Sequence, residues 1–226
     1  MPYHYVFPEP EMADKDGFIA AGGDLSVESL ISAYSSGIFP WYSEGSPILW
    51  WSPDPRLVLY PDKLKLSSSL KHTIRRRRFT VLFDNDFTAV INNCASIKRK
   101  SQEGTWITGD MQQAYIRLHH QGYAHSVETY FEGKLAGGLY GVSLGKAFFG
   151  ESMFHRVSDA SKIALYYLVE QIKQWDFHFI DAQQSTNHLR RLGAEEIPRK
   201  EFLLQLRRAL EYPTRRGKWK MKEDNR

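Results

Sequence analysis

Apolar and polar positions change rhythm along the chain. Between residues 24 and 37, Leu25, Leu30, Ile31 and Tyr34 form a helical stripe. Asp24 or Ser26 can cap this helix, and Gly37 sits where it should stop. The next stretch has no period: Ile38-Phe39-Pro40-Trp41-Tyr42, then Ile48-Leu49-Trp50-Trp51-Ser52-Pro53-Asp54-Pro55. Its prolines exclude long helices. From residue 56 the pattern alternates between α and β. Strands are predicted over 56–60 and 79–83, and helices over 67–75, 86–95 and 110–120, the last ended by Gly122. Three strands follow, over 126–131, 134–142 and 146–154. Glu132-Gly133 and Leu144-Gly145 lie at the turns, which makes a meander. A long helix over 159–175 carries Ala160, Ile163, Ala164, Tyr167 and Leu168 on one face. A buried strand over 177–182 and a helix over 200–210 complete the set, with a charged tail from Thr214 that reads as loose.

This order predicts an α/β chain built on a mixed sheet. The acyltransferase fold of the GNAT type has the same order, one topology among several that the pattern allows. The first 61 residues stand apart in texture, because Pro2, Pro8, Pro10, Pro40, Pro47, Pro53, Pro55 and Pro61 fall there, out of 10 prolines in all. Composition narrows the class. At 226 residues and 42% hydrophobic, the chain has material for a core, which excludes global disorder. No apolar run approaches the ~18 residues of a membrane span. The N-terminus shows no basic stretch followed by an apolar one, so no signal peptide is visible and a cytoplasmic location is expected. Cys94 is the single cysteine, which excludes a disulfide framework or a cysteine-cluster metal site. The net charge of +4 permits a polyanionic partner without demanding one.

Candidate chemistry lies in five places, each with a bland reading beside the sharp one. Trp41, Trp50, Trp51 and Trp106 sit in polar or proline-rich settings. They are core fillers or a stacking platform for a nucleobase. Lys71-His72-Thr73-Ile74-Arg75-Arg76-Arg77-Arg78 places like charges one turn apart, which repel by a few tenths of a kcal/mol. That run, like Lys98-Arg99-Lys100, is either a solvated surface or a phosphate contact. Gly137-Gly138-Leu139-Tyr140-Gly141 has no phosphate-loop ending, so its glycines read as a bulge or a close backbone approach. Glu151 lies among aromatics at the end of a strand and is costly to bury unless paired or facing a cleft. Asp181 ends an apolar strand, where active-site groups gather in α/β folds. Asp181 and Gln183, two apart, are expected to share a strand face, and the alternative is that Asp181 only caps the next helix. His188 reads as structural.

Together these residues resemble the bacterial leucyl/phenylalanyl-tRNA–protein transferases. The likeness is carried by Gly22-Gly23-Asp24-Leu25-Ser26, Gly37-Ile38-Phe39-Pro40-Trp41, the ILWWSPDPR run from Ile48 to Arg56, and Gly104-Thr105-Trp106-Ile107-Thr108. It continues through Gly150-Glu151-Ser152-Met153-Phe154, the SDASKIA run from Ser158 to Ala164, and Leu192-Gly193-Ala194. The resemblance implies a small N-terminal domain (1–61) and a larger GNAT-like domain (62–226). It implies transfer of Leu, Phe and less readily Met from aminoacyl-tRNA to proteins beginning with Arg or Lys, which marks them for degradation. It also implies a monomer that uses no acetyl-CoA, metal or other cofactor. By the same resemblance Trp41 and Trp106 hold the 3′-terminal adenine. Leu139, Phe148, Met153, Leu165, Leu168, Ile180 and Ala182 form the side-chain pocket, with leucine at two positions, 139 and 168, where the family often has Met and Phe. Lys71, His72, Arg75 and Arg76 contact the acceptor stem, with Ser68 in place of one basic member. Glu151, Asp181 and Gln183 are the polar catalytic set. Three rivals keep part of this pattern: a CoA-dependent acetyltransferase, a non-catalytic RNA-binding adaptor and a peptidoglycan aminoacyltransferase.

Overall fold

The computed structural model describes residues 6–97 and 107–221. Helices start where the sequence supplies side-chain acceptors. Ser26 accepts from the Ser29 N–H at α1 (Val27–Ser35), Ser67 from Leu70 at α2 (Ser68–Arg75), and Asp86 from Ala89 at α3 (Phe87–Ser96). Thr108 accepts from Met111 at α4 (Gly109–His120). The long α5 (Ala160–Gln174) begins behind Asp159 in a left-handed conformation. Thr186 then caps the short α6 (Asn187–Arg191), and α7 (Arg199–Leu210) follows Pro198. Each such cap satisfies an otherwise unpaired N–H and contributes about 1 kcal/mol.

The proline-rich start is more ordered than its pattern suggests. β1 (Phe18–Ala21), β2 (Phe39–Pro40) and β3 (Leu49–Trp51) form an antiparallel sheet in the order β1-β3-β2. Their period is invisible because two strands have only two or three residues. Pro40 is tolerated because β2 is an edge strand. Trp50 is fully buried in the central strand and its indole N–H donates to Gly22 O at 2.8 Å.

The larger sheet holds β4 (Arg56–Leu59), β5 (Phe79–Phe83), β6 (Ala124–Phe131), β7 (Lys134–Leu144), β8 (Ala147–His155), β9 (Phe179–Gln183) and β10 (Glu195–Ile197). Its order is β10-β4-β9-β8-β7-β6-β5. The meander β6-β7-β8 is antiparallel, while β9 returns through α5 to lie parallel to β8. This mixed sheet, with a meander, a crossover helix and a parallel strand, is the GNAT-type order expected from the pattern. Both faces are covered. Phe149, Phe179 and Val58 point to the side of α1, α3, α4 and α7, whereas their neighbours Phe148, Ile180 and Leu57 point to α2 and α5. Strict alternation thus sends adjacent residues into two separate cores.

Two expectations differ from the structure. β4 lies inside the seven-stranded sheet, paired with both β9 and β10, so residues 56–59 sit with the larger sheet and not with β1, β2 and β3. The tail beyond Thr214 is not loose as far as Trp219, which is 2% exposed. One aromatic buried against the sheet outweighs the charged residues around it.

Candidate active site

The pairing of β8 with β9 runs from Ala147–Phe179 to Phe149–Asp181 and stops, while both strands continue. Beyond that point the strand ends frame a pocket of about 410 Å³. Parallel strands that part at their carboxyl ends are a common place for a ligand in α/β sheets. The floor and walls are apolar: Leu59, Leu139, Phe148, Met153, Leu168, Ile180 and Ala182. Glu151, Gln183 and Gln184 sit on the polar side, and Trp41 stands on the rim after Phe39 and Pro40.

Six of the seven expected pocket residues therefore line one cavity. Leu165 does not. It is buried in the core around α5, with Leu168 and Ile180, behind the wall. Leu59 and Leu189 were not anticipated. They come from elements far apart in sequence, and no local pattern links them. His188 lines the pocket as well, in contrast to its structural reading; burial, then the nearby Lys162, His155 and Arg191 charges, lowers its pKa.

Glu151 is held by three donors. Tyr34 Oη donates to one carboxylate oxygen at 2.7 Å, and Gln183 Nε2 donates to the same oxygen at 2.9 Å. Tyr115 Oη donates to the other oxygen at 2.9 Å, and the two tyrosine hydroxyls are also in contact, a bond that can form only by drawing on one of these same two protons. Burial pushes the Glu151 carboxyl up to about 7, with Asp181 adding to the rise and the three donors opposing it. Burial, then the Glu151 charge, likewise holds both tyrosine hydroxyls well above their ordinary range. Because Glu151 accepts, the Gln183 amide must turn its NH₂ toward it. Its carbonyl oxygen is then directed elsewhere.

Asp181 is surrounded differently. Arg56 Nε donates to Oδ1 at 2.8 Å and Arg56 Nη2 to Oδ2 at 2.7 Å, and both side chains are fully buried. The guanidinium also donates to Gly37 O at 3.1 Å and lies over the Phe39 and Phe202 rings. Gly37 has φ +77, a left-handed conformation that favours glycine. Asp181 Oδ1 accepts in addition from the Gln183 backbone N–H at 2.9 Å. Asp181 does not line the pocket, whereas Ile180, Ala182 and Gln183 do. The expectation that Asp181 and Gln183 share a face fails because Gln183 adopts φ +56, which breaks strand alternation at that residue. A non-glycine residue held there costs roughly 1 kcal/mol or more and persists only where its surroundings enforce it. Here the Asp181 carboxylate and the Glu151 bond do so. Asp181 does not cap the following helix either, since Thr186 does.

Sequence reading missed Arg56, Tyr34 and Tyr115. Arg56 gave one signal, a lone charge opening an apolar strand. The tyrosines gave none, because an inward tyrosine on a helix reads as core.

The aromatic and basic candidates separate clearly. Trp41 is half-buried, meets Trp51 edge-on at 5.7 Å and offers its remaining face at the pocket rim. Trp50 is core and Trp106 lies outside the described residues, as does the run 98–100. Lys71, His72, Arg75 and Arg76 are exposed on and just after α2, which packs on α5 through Leu70 and Ile74. Among the described residues none of the four has a carboxylate within ion-pair distance. Also among the described residues, no three His, Cys, Asp or Glu side chains are placed to hold a metal ion, and no helix is long and apolar enough to cross a membrane.

A family model described as leucyl/phenylalanyl-tRNA protein transferase matches residues 58–207, and its companion N-terminal domain model matches residues 23–54. A protein of Desulfatibacillum aliphaticivorans named leucyl/phenylalanyl-tRNA–protein transferase is 56% identical over 219 residues, covering 97% of this chain and 94% of that one. One of the same name from Anaeromyxobacter sp. (strain Fw109-5) is 55% identical over 226 residues, covering 100% and 96%. Among solved structures, a GCN5-related N-acetyltransferase from Kribbella flavida aligns with a TM-score of 0.37 at 10% identity, over 74% of this chain and 59% of that chain.

Proposed function

The chain belongs to the leucyl/phenylalanyl-tRNA–protein transferase family, and from that premise we propose how this site transfers an aminoacyl group. The donor is leucyl- or phenylalanyl-tRNA, with methionyl-tRNA used less readily. The acceptor is a protein beginning with Arg or Lys, and the product is marked for degradation. The reaction is aminolysis of an ester. The acceptor α-amine, pKa ~7.7–8.0, is partly neutral near pH 7, so no strong base is needed. The chain's task is alignment, oxyanion stabilisation and return of a proton to the ribose oxygen.

The apolar pocket takes the donor side chain, and Trp41 and Trp106 hold the terminal adenine. The exposed helix α2 meets the acceptor-stem phosphates through Lys71, His72, Arg75 and Arg76. Gln183 receives the acceptor amine on its carbonyl oxygen, because its NH₂ is committed to Glu151. Asp181 acts through Gln183: its carboxylate holds the backbone N–H of that residue and is itself held by Arg56. It is a positioning residue, since both oxygens face buried donors and neither faces the pocket. Glu151, charged, attracts the cationic acceptor N-terminus across a low-dielectric cleft.

One observation supports this arrangement above the others. The Gln183–Glu151 bond of 2.9 Å spans the gap between β8 and β9 directly beside an apolar cavity. The test is incubation of the purified chain with labelled leucyl-tRNA and a protein beginning with Arg. Label on the acceptor N-terminus is expected. Label that stays on the tRNA, or is released only as free leucine, contradicts the reading.

A further inference from the structure

The chain does not end its structural work at α7. Thr214 Oγ accepts from the Gly145 N–H at 2.9 Å, and Arg216 donates twice to Gln121 O, at 2.9 and 3.2 Å. Arg216 also lies over the Tyr123 ring, and Arg215 over Trp175. Gly217 passes so close to Gly122 that a Cβ on Gly122 would fall 2.3 Å from its nitrogen. These contacts deliver Trp219 to the α5 side of the sheet. There its backbone N–H donates to Asp84 at 2.7 Å, and its ring stacks on His125, 3.8 Å between centroids and 10° from parallel. Trp175 and Phe177 meet it edge-on.

Trp219 reaches the pocket through one residue. Its ring lies 5.9 Å from that of Phe148, whose other side forms pocket wall, while Trp219 itself does not line the cavity. Phe148 has an unusual seat. Its ring lies across Gly141, where a Cβ would come within 2.6 Å of the ring edge, at the bulge between Tyr140 and Gly141. Gly141 is the β7 partner of His125 on β6. The ring therefore rests on a bare stretch of sheet, with the Trp219–His125 stack beside it. Close-packed interiors resist such a ring moving unless a neighbour is removed.

We propose that Trp219 sets the depth of the pocket by backing Phe148, and so governs the choice between Leu and Phe side chains. This makes the C-terminal segment part of the specificity apparatus, although it never touches the donor. The inference rests on reading the cavity as the aminoacyl side-chain pocket. Removing the indole leaves a void into which Phe148 can retreat. The deepened cavity then favours the longer aromatic side chain.

The test uses the full chain and its Trp219→Ala and Trp219→Phe variants, each checked for cooperative unfolding. Calorimetry measures binding of two stable probes, 3′-phenylalanylamino- and 3′-leucylamino-3′-deoxyadenosine. Trp219→Ala should raise the Phe-to-Leu affinity ratio about tenfold, the scale on which one methylene is discriminated in an apolar pocket. Trp219→Phe should shift it in the same direction by less, and decides the matter if the alanine variant does not fold. A ratio unchanged in the folded Trp219→Phe protein, or both affinities falling in equal proportion, overturns the proposal. An intact chain that binds both probes yet transfers neither residue defeats the proposed reaction while the ratio still judges this inference. Failure to bind either probe overturns both.

Discussion

Two carboxylates stand on the strands that part to form the pocket, and their surroundings are opposite. Asp181 on β9 is clamped by a guanidinium, fully buried, and turned away from the cavity. Glu151 on β8 meets only two hydroxyls and an amide and lines the cavity, with its carboxyl pushed up to about 7. The first arrangement pairs the carboxylate with a guanidinium and uses it to hold the backbone of Gln183. The second leaves a charge that comes and goes near physiological pH. Residue type alone does not separate framework from working group. The nearest partner does.

The comparison breaks most directly at Arg56. Arg56→Ala leaves the Asp181 carboxylate buried without its cation and should destabilise the fold by about 3–5 kcal/mol in chemical denaturation. A loss under ~1 kcal/mol would mean that the pair is not the clamp described. Gln183→Ala keeps the backbone N–H that Asp181 holds but removes the side-chain amide that bonds Glu151 and receives the acceptor amine. It should lower kcat about a hundredfold, with KM for aminoacyl-tRNA little changed, as expected when alignment at the reacting centre is lost. An equal fall in tRNA affinity would place Gln183 on the donor side.

Smaller effects sharpen the contrast between the buried site and its exposed approaches. Trp41→Ala removes one face for the adenine and should weaken aminoacyl-tRNA use by ~1–3 kcal/mol. Wild-type kinetics in that variant would make Trp41 padding. Reversing Arg75 and Arg76 to Glu should raise KM for tRNA and flatten its salt dependence, because fewer phosphate counterions are displaced. A minimal aminoacyl-adenosine substrate should be spared, and equal damage to both substrates would argue against a stem contact. A further signal is in the pH dependence of stability. A carboxyl raised in the folded state from 4.5 to about 7 contributes stability below its unfolded pKa, and that contribution is lost as pH rises through 7. Glu151→Gln should remove this loss between pH 4.5 and 7, as measured by thermal unfolding in parallel buffers.

Much of this was legible in the residues. The meander, the crossover helix and the strand after it announce themselves by period, because each is long and apolar on a regular face. Six pocket positions followed from the family resemblance and fall around one cavity. What stayed hidden has physical reasons. The strands β1, β2, β3 and β10 have two to four residues each, too few to show a period. The shared face of Asp181 and Gln183 assumed regular strand geometry, which the left-handed Gln183 breaks. Tyr34, Tyr115 and Arg56 meet their carboxylates across 117, 36 and 125 positions of chain, beyond any local pattern. Trp219 sits in a stretch so charged that its burial cannot be read from its neighbours.

The central claim is that the carboxylate facing the cavity, and not the clamped one, recruits the acceptor. It is tested by the ratio of kcat/KM for peptides beginning with Arg and with Ser, measured from pH 6 to 8.5, in which α-amine titration largely cancels. The intact chain should show this ratio rising through a midpoint near 7 as Glu151 ionises, and Glu151→Gln should give a low, flat ratio with donor binding retained. A ratio that is independent of pH in the intact chain, or the same rise in Glu151→Gln, would contradict the account.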